Sequence, residues 1–98
     1  MNKYLVEFLG TLFFLYVVLT VTAKNANLTP GITGLAIGAA LAIACIIGGN
    51  ISGGNYNPAI TIMMVVAGRQ PKNDAIPYIL AQVAGGLVAL EIYKIAHK

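Results

Sequence analysis

An otherwise apolar chain is interrupted in one place, residues 51–61, which read ISGGNYNPAIT. Gly53 and Gly54 admit backbone angles that other residues resist. Pro58 lacks an N–H and suits the first turn of a helix, and Asn57 before it is a good N-cap. These residues predict an unwound strip over 50–56 that feeds a helix starting at Asn57-Pro58-Ala59. Gly68-Arg69-Gln70-Pro71 stops that helix, so it covers about 58–67. Such a helix rises roughly 15 Å, half the hydrocarbon core of a bilayer.

The rest of the chain sets the solvent. Of its 98 residues, 58% are hydrophobic and only 9% charged, where a soluble domain carries about 25% charged residues. Mean hydropathy is +0.81. Three apolar runs, about 5–23, 31–49 and 77–95, each have the roughly 20 residues that a membrane-crossing helix needs. The expected fold class is an all-α, multi-pass membrane protein: three transmembrane helices plus one re-entrant half-helix, in a single unit over 1–98. Glu7 falls too early, and the first run is too long, for a cleaved signal peptide. The second run is crowded with small residues, and its Gly34 and Gly38 form a GxxxG pair expected to pack helices. Asp74 is placed to cap the last span.

Several function classes drop out. The net charge of +3 comes from cations flanking the spans, with no basic stripe for nucleic acid. A single cysteine, Cys45, rules out an internal disulfide. His97 lies between lysines in the tail and reads as a solvated end. No Ser-His-Asp, Cys-His or paired-carboxylate set is present, nor a phosphate-binding glycine loop. Neither an enzyme activity nor a metal or other cofactor is expected.

The unwound strip carries the functional expectation. In hydrocarbon, irregular backbone leaves polar groups unpaired, so it is tolerated only when buried in protein or lining a watery cavity. A half-span helix also aims its positive end at the membrane centre. The carbonyls of Gly53, Gly54, Asn55 and Tyr56 are expected to line a path, with the NH2 group of Asn57 at its narrowest part. Such a row of acceptors and donors passes neutral hydrogen-bonding solutes, while the dipole end repels protons and cations. Taken alone, an ordinary Asn-Pro turn between two spans gives the same residues.

Three motifs in order resemble the major intrinsic protein family, the aquaporins and glycerol facilitators. Glu7-Phe8-Leu9-Gly10-Thr11 is similar to the family's opening-helix motif, and 51–61 to its first Asn-Pro-Ala loop. Gly68-Arg69 and Tyr78-Ile79-Leu80-Ala81-Gln82 resemble the stretch that follows. The resemblance implies that Asn57, Pro58 and Ala59 are the pore-centre motif and that Glu7 accepts hydrogen bonds from the re-entrant loop. It covers only the first of the two inverted halves in family members. The family's selectivity arginine follows the second Asn-Pro-Ala, whereas Ile60 stands after Ala59 here; Asn55 stands where a histidine is frequent.

One half leaves the strip open to lipid, so the partner implied is a second half. With the N-terminus inside, Lys3, Arg69 and Lys72 lie on one side and Lys24, Lys94 and Lys98 on the other. The positive-inside bias is then close to zero, and the chain is expected to insert both ways. Two copies in opposite orientation, an antiparallel dual-topology homodimer, would rebuild the inverted repeat about a two-fold axis in the membrane plane. The family's grouping of four pores implies eight chains. Projecting its constriction onto two copies brings Ile37 of one chain to Cys45, Gly54 and Ile60 of the other. That set is apolar and suits water or a small neutral solute such as glycerol. Cys45 equally suits a small buried packing residue. Two rival readings are a non-conducting half or fragment that joins a full-length channel or another partner, and a small dual-topology proton-coupled exporter. The exporter calls for a deep carboxylate, whereas Glu7 is expected near a helix end within reach of the interface.

Overall fold

The computed structural model describes all 98 residues, 1–98, and is helical throughout. Helix α1 spans Lys3–Val21, α2 Pro30–Ser52, α3 Pro58–Val66 and α4 Ala75–Ala96, with short 3-10 turns at Lys24–Ala26 and Lys72–Asp74. Three of the helices are long and apolar enough to cross a membrane; α3, with nine residues, is not. The longest dimension, 42 Å, matches a bilayer with its headgroup layers, about 40–45 Å.

Local chemistry sets the helix ends. Asn2 caps α1, its Oδ1 accepting from the N–H groups of Tyr4 at 2.7 Å and Leu5 at 3.3 Å. Thr29 caps α2 just before Pro30. At the other end of α3, the Gly68 N–H donates to the Val65 carbonyl at 3.1 Å and the Arg69 N–H to Met64 at 2.9 Å. That pair of bonds, around a left-handed Gly68, is a Schellman stop.

Two boundaries differ from the sequence expectation. Helix α2 does not end at Gly49 but runs on through Ser52, so the unwound strip is 53–57 rather than 50–56. Nothing in 50–52 breaks a helix; the break comes at Gly53, which takes φ +90° and donates its N–H to the Gly49 carbonyl at 2.9 Å. Helix α4 begins at Ala75, and Pro77 sits within its first turn, where a missing N–H costs no helical bond. Asp74 stands at the N-cap position, but its backbone is helical and its side chain caps nothing. Its carboxylate instead pairs with Lys3 Nζ at 2.8 Å, which ties the turn before α4 to the start of α1.

Burial runs opposite to that of a soluble domain. Of the fifteen buried residues, seven are polar or charged: Glu7, Thr11, Ser52, Asn55, Thr61, Asp74 and Gln82. Large apolar side chains such as Leu35, Ile46, Ile47 and Val66 are more than 70% exposed. With lipid outside, an apolar exterior carries no penalty, and association rests on close packing and internal hydrogen bonds. Helix α1 is central, packing on both α2 and α4, while α3 lies on α4.

The packing face of α2 is Ala40, Ala44, Gly48 and Ser52, one residue per turn. The Gly34–Gly38 pair does not take part: nothing lies within 4 Å of where a side chain would start at either. On α4 the close approach is at Gly85, where a Cβ would stand 2.6 Å from the Phe8 carbonyl oxygen. Gly85→Ala should therefore separate α1 from α4 and lower unfolding free energy by about 1–3 kcal/mol. Gly34→Ala, into open space within α2, should leave it unchanged or raise it by up to about 1 kcal/mol. Equilibrium unfolding in bicelles distinguishes the two.

Candidate functional site

The strip 53–57 is irregular backbone between two helices. Gly53, Gly54 and Tyr56 all have positive φ, at 90°, 64° and 54°. For a tyrosine this conformation costs about 1–2 kcal/mol, so its surroundings must hold it. Two contacts do so. The ring lies where Gly10 of α1 and Gly48 of α2 leave room, and a Cβ at either glycine would collide with it. Its hydroxyl donates to the Ala44 carbonyl at 2.7 Å.

The second hold is Glu7, which has no exposed surface. Its Oε2 accepts from Ser52 Oγ at 2.6 Å and from the Asn55 N–H at 3.1 Å. Its Oε1 accepts from the Tyr56 N–H and from Gln82 Nε2, each at 2.8 Å. One carboxylate thus joins α1, the end of α2, the strip and α4 through four charge-assisted bonds. Glu7 lies early in α1, and its side chain is enclosed by the end of α2, the strip and α4.

Further polar side chains complete the support. Asn55 folds inward, and its Nδ2 donates to Thr61 Oγ1 at 2.9 Å and Gln70 Oε1 at 2.8 Å. Gln82 Nε2 also reaches Thr61 Oγ1, at 2.8 Å. Gln70 Nε2 continues to Asp74 Oδ2 at 3.4 Å, and Tyr78 Oη donates to the Ser52 carbonyl at 2.6 Å. Ser52, Thr61, Gln70, Tyr78 and Gln82 carry this network and were not singled out for it from the sequence. A signal existed: Glu7 and Thr11 are four apart, as are Tyr78 and Gln82, so each pair puts polar groups on one face of an apolar helix.

Asn57 and Pro58 open α3. Asn57 Oδ1 accepts the Ala59 N–H at 2.8 Å, which leaves its Nδ2 free at an exposed position. Ala59 is exposed and Ile60 half-buried. The Cys45 thiol is exposed and donates to the Gly54 carbonyl at 3.6 Å, so those two candidates meet within one chain. Ile37 does not join them. It sits two turns earlier on α2, about 12 Å along the axis, beside the turn at Lys24 and Asn27. No three His, Cys, Asp or Glu side chains converge as a metal site would need.

The sequence model of the family described as Major intrinsic protein matches residues 1–98. The chain belongs to that family. It is 46% identical over 91 residues to Glycerol uptake facilitator protein-like 6 of Lactiplantibacillus plantarum, covering 91% of this chain and 41% of that one. It is 39% identical over 98 residues to Aquaporin Z of Brucella melitensis, covering 94% and 42%, and 33% identical over 97 residues to Aquaporin Z of Bradyrhizobium diazoefficiens, covering 94% and 40%. No solved structure matches. The chain therefore spans about two fifths of the length of the curated relatives it matches, and its three spans and half-helix are an integral membrane unit corresponding to half of an aquaporin-like fold.

Removing the Glu7 carboxylate orphans the N–H groups of Asn55 and Tyr56 away from water, while Gln82 Nε2 keeps Thr61 Oγ1 and Ser52 Oγ can turn to the Gly48 carbonyl. At about 1–3 kcal/mol for each buried orphan, Glu7→Ala should cost at least about 2 kcal/mol. Glu7→Gln should cost less, since its amide oxygen keeps some of the acceptor positions while its NH2 faces a donor. Steric-trap or denaturant unfolding of the three proteins checks the order.

Proposed function

We propose that this chain is half of a membrane channel for water and small neutral solutes, and that a second copy in inverted orientation completes the pore. The observation that carries the reading is the strip 53–57, held from behind by Glu7 and ending at an exposed, half-engaged Asn57. Its carbonyls offer acceptors and Asn57 Nδ2 a donor to replace the water partners of a neutral solute. The half-helix behind them presents its positive end, which disfavours cations and protons at the same point. Family membership and the names of the relatives, a glycerol uptake facilitator-like protein and aquaporins, support the same reading.

A single chain has no closed lumen. Gly53 and Asn57 of the strip lie at its surface, and lipid gives irregular backbone no partners. A second half is required, and the charge balance allows the same chain to supply it. The Lys3–Asp74 ion pair puts the N-terminus beside the 68–74 turn, so Arg69 and Lys72 share a side with Lys3. An odd number of spans sends Lys94 and Lys98 to the other side with Lys24. Three cations on each side give almost no preferred orientation. In the inverted pair, Ile37 of one copy meets Cys45, Gly54 and Ile60 of the other in an apolar constriction without arginine. The exporter reading loses support, because Glu7 is sealed and fully engaged by structural donors.

Osmotic shrinkage of liposomes holding only this chain tests the proposal, with an impermeant osmolyte and then with glycerol. Water or glycerol flux should exceed that of empty liposomes, with a low activation energy. Asn57→Asp keeps the cap on Ala59 but loses the NH2 donor, and should lower flux about tenfold, one hydrogen bond at the barrier. Ile60→Arg should reduce glycerol flux more than water flux. Flux equal to empty liposomes, from protein shown to be folded and inserted, would sink the two-copy channel and favour a half that joins a different chain.

A further inference from the structure

The hydrogen-bonded relay behind the strip runs between two carboxylates. At one end Glu7 accepts from Gln82 Nε2 at 2.8 Å, and the same nitrogen donates to Thr61 Oγ1 at 2.8 Å. At the other end Asp74, paired with Lys3 Nζ at 2.8 Å, accepts from Gln70 Nε2 at 3.4 Å. Asn55 joins the two, its Nδ2 donating to Thr61 Oγ1 at 2.9 Å and to Gln70 Oε1 at 2.8 Å.

A carboxylate only accepts, an amide has one donor end and one acceptor end, and a hydroxyl does either. Glu7 turns the NH2 group of Gln82 toward itself. Thr61 can then accept from Asn55 or donate to it, so this end leaves Asn55 free to turn over. Asp74 does not leave that choice. It draws the Gln70 NH2 group to itself, so Gln70 Oε1 faces Asn55 and calls for the Asn55 NH2 group there. Both Asn55 hydrogens are then engaged inside the chain, and Oδ1 is left without a donor. Thr11 Oγ1 and Gln82 Oε1 are also unpaired, but they are sealed, whereas Asn55 Oδ1 is not. Asn55 is 4% exposed, and its Oδ1 lies 3.7 Å from where a Cβ would start on Gly53, an exposed residue of the strip.

We infer that Asp74 is a positioning residue for the solute path: through Gln70 it holds the Asn55 amide oxygen outward beside Gly53, as a side-chain acceptor added to the row of strip carbonyls. This rests on the reading that the strip lines a channel, and it names the solutes that the added acceptor favours, neutral molecules rich in hydrogen-bond donors such as urea. Lys3 belongs to the same arrangement, since its ion pair fixes where the Asp74 carboxylate stands.

Asp74→Asn tests the direction of the relay. The new amide can offer Gln70 either end, so Gln70 and Asn55 are free to turn and the Asn55 NH2 group can face outward. Adding Gln70→Glu to Asp74→Asn moves the accept-only group one link along, which draws the Asn55 NH2 group inward again. Both proteins lack the Lys3–Asp74 pair, so a merely structural role for that pair predicts the same behaviour in each. Hydrogen exchange of the Asn55 side-chain amide is followed by NMR of the full chain in bicelles, and urea and water permeability are measured in liposomes. Asp74→Asn should speed the exchange and lower the urea-to-water permeability ratio, each by about threefold to tenfold, the range of one hydrogen bond. The double variant should return both toward wild type. Equal changes in the single and double variants, or no change in either, overturn the inference. Exchange that follows the expected pattern with an unmoved permeability ratio overturns the solute contact and leaves the channel reading standing. Wild-type flux no faster than that of empty liposomes overturns the channel reading, and the solute contact falls with it.

Discussion

The fold depends on one buried carboxylate. Glu7 has no exposed surface and accepts four hydrogen bonds, two of them from the backbone of the strip 53–57. Without such an acceptor, non-helical backbone has no place in a membrane, where no water replaces lost partners. With it, the chain keeps a short segment in which the N–H groups of Gly53, Gly54, Asn55 and Tyr56 are all engaged. Those internal bonds are what let the helix break where it does.

Around that carboxylate the structure trades side-chain bulk for proximity. Gly85 lets α1 and α4 meet at backbone distance, and Ala40, Ala44 and Gly48 give α2 a buried face of small residues, with Gly48 making room for the side chains of Val6 and Tyr56. The one large side chain admitted between α1 and α2 at the strip is Tyr56, held over Gly10 and Gly48 with its hydroxyl on the Ala44 carbonyl. Its left-handed backbone is the local penalty, and its ring is the means by which the strip is keyed to both helices. Helix α3 is then supported from below through Thr61, Asn55 and Gln70 rather than by apolar packing.

Much of this architecture was legible in the residues. Spans of about twenty apolar residues need no tertiary context, because the bilayer thickness sets their length. Pro58 and Gly68 punctuate α3 by backbone chemistry alone. What escaped was decided between segments. The end of α2 moved to Ser52 because 50–52 contain no breaker. Asp74 looked like a cap but found Lys3, seventy-one positions away and next to it in space. The small residues at Gly34 and Gly38 resembled a packing motif, yet α1 crosses α2 lower down. Glu7, read from its number as near the interface, is sealed by segments folded over it. Gln82 entered the sequence reading only as part of a family motif, and the assembled network shows that it holds Glu7 with its NH2 group and leaves its oxygen unpaired.

The chain order of these contacts has a consequence for biogenesis. The donors that satisfy Glu7 lie 45 to 75 residues downstream of it. When α1 first enters the membrane, none of them has folded against it. An acidic group deep in lipid is costly, but Glu7 lies barely one turn from the start of α1, close enough for a side chain to lean toward the headgroups while it waits. Only when α2, the strip and α4 have followed does a dry binding place for the carboxylate exist. The first span therefore enters the membrane in one setting and finishes in another, and closure of the helical bundle coincides with withdrawal of this acid from the water-facing edge.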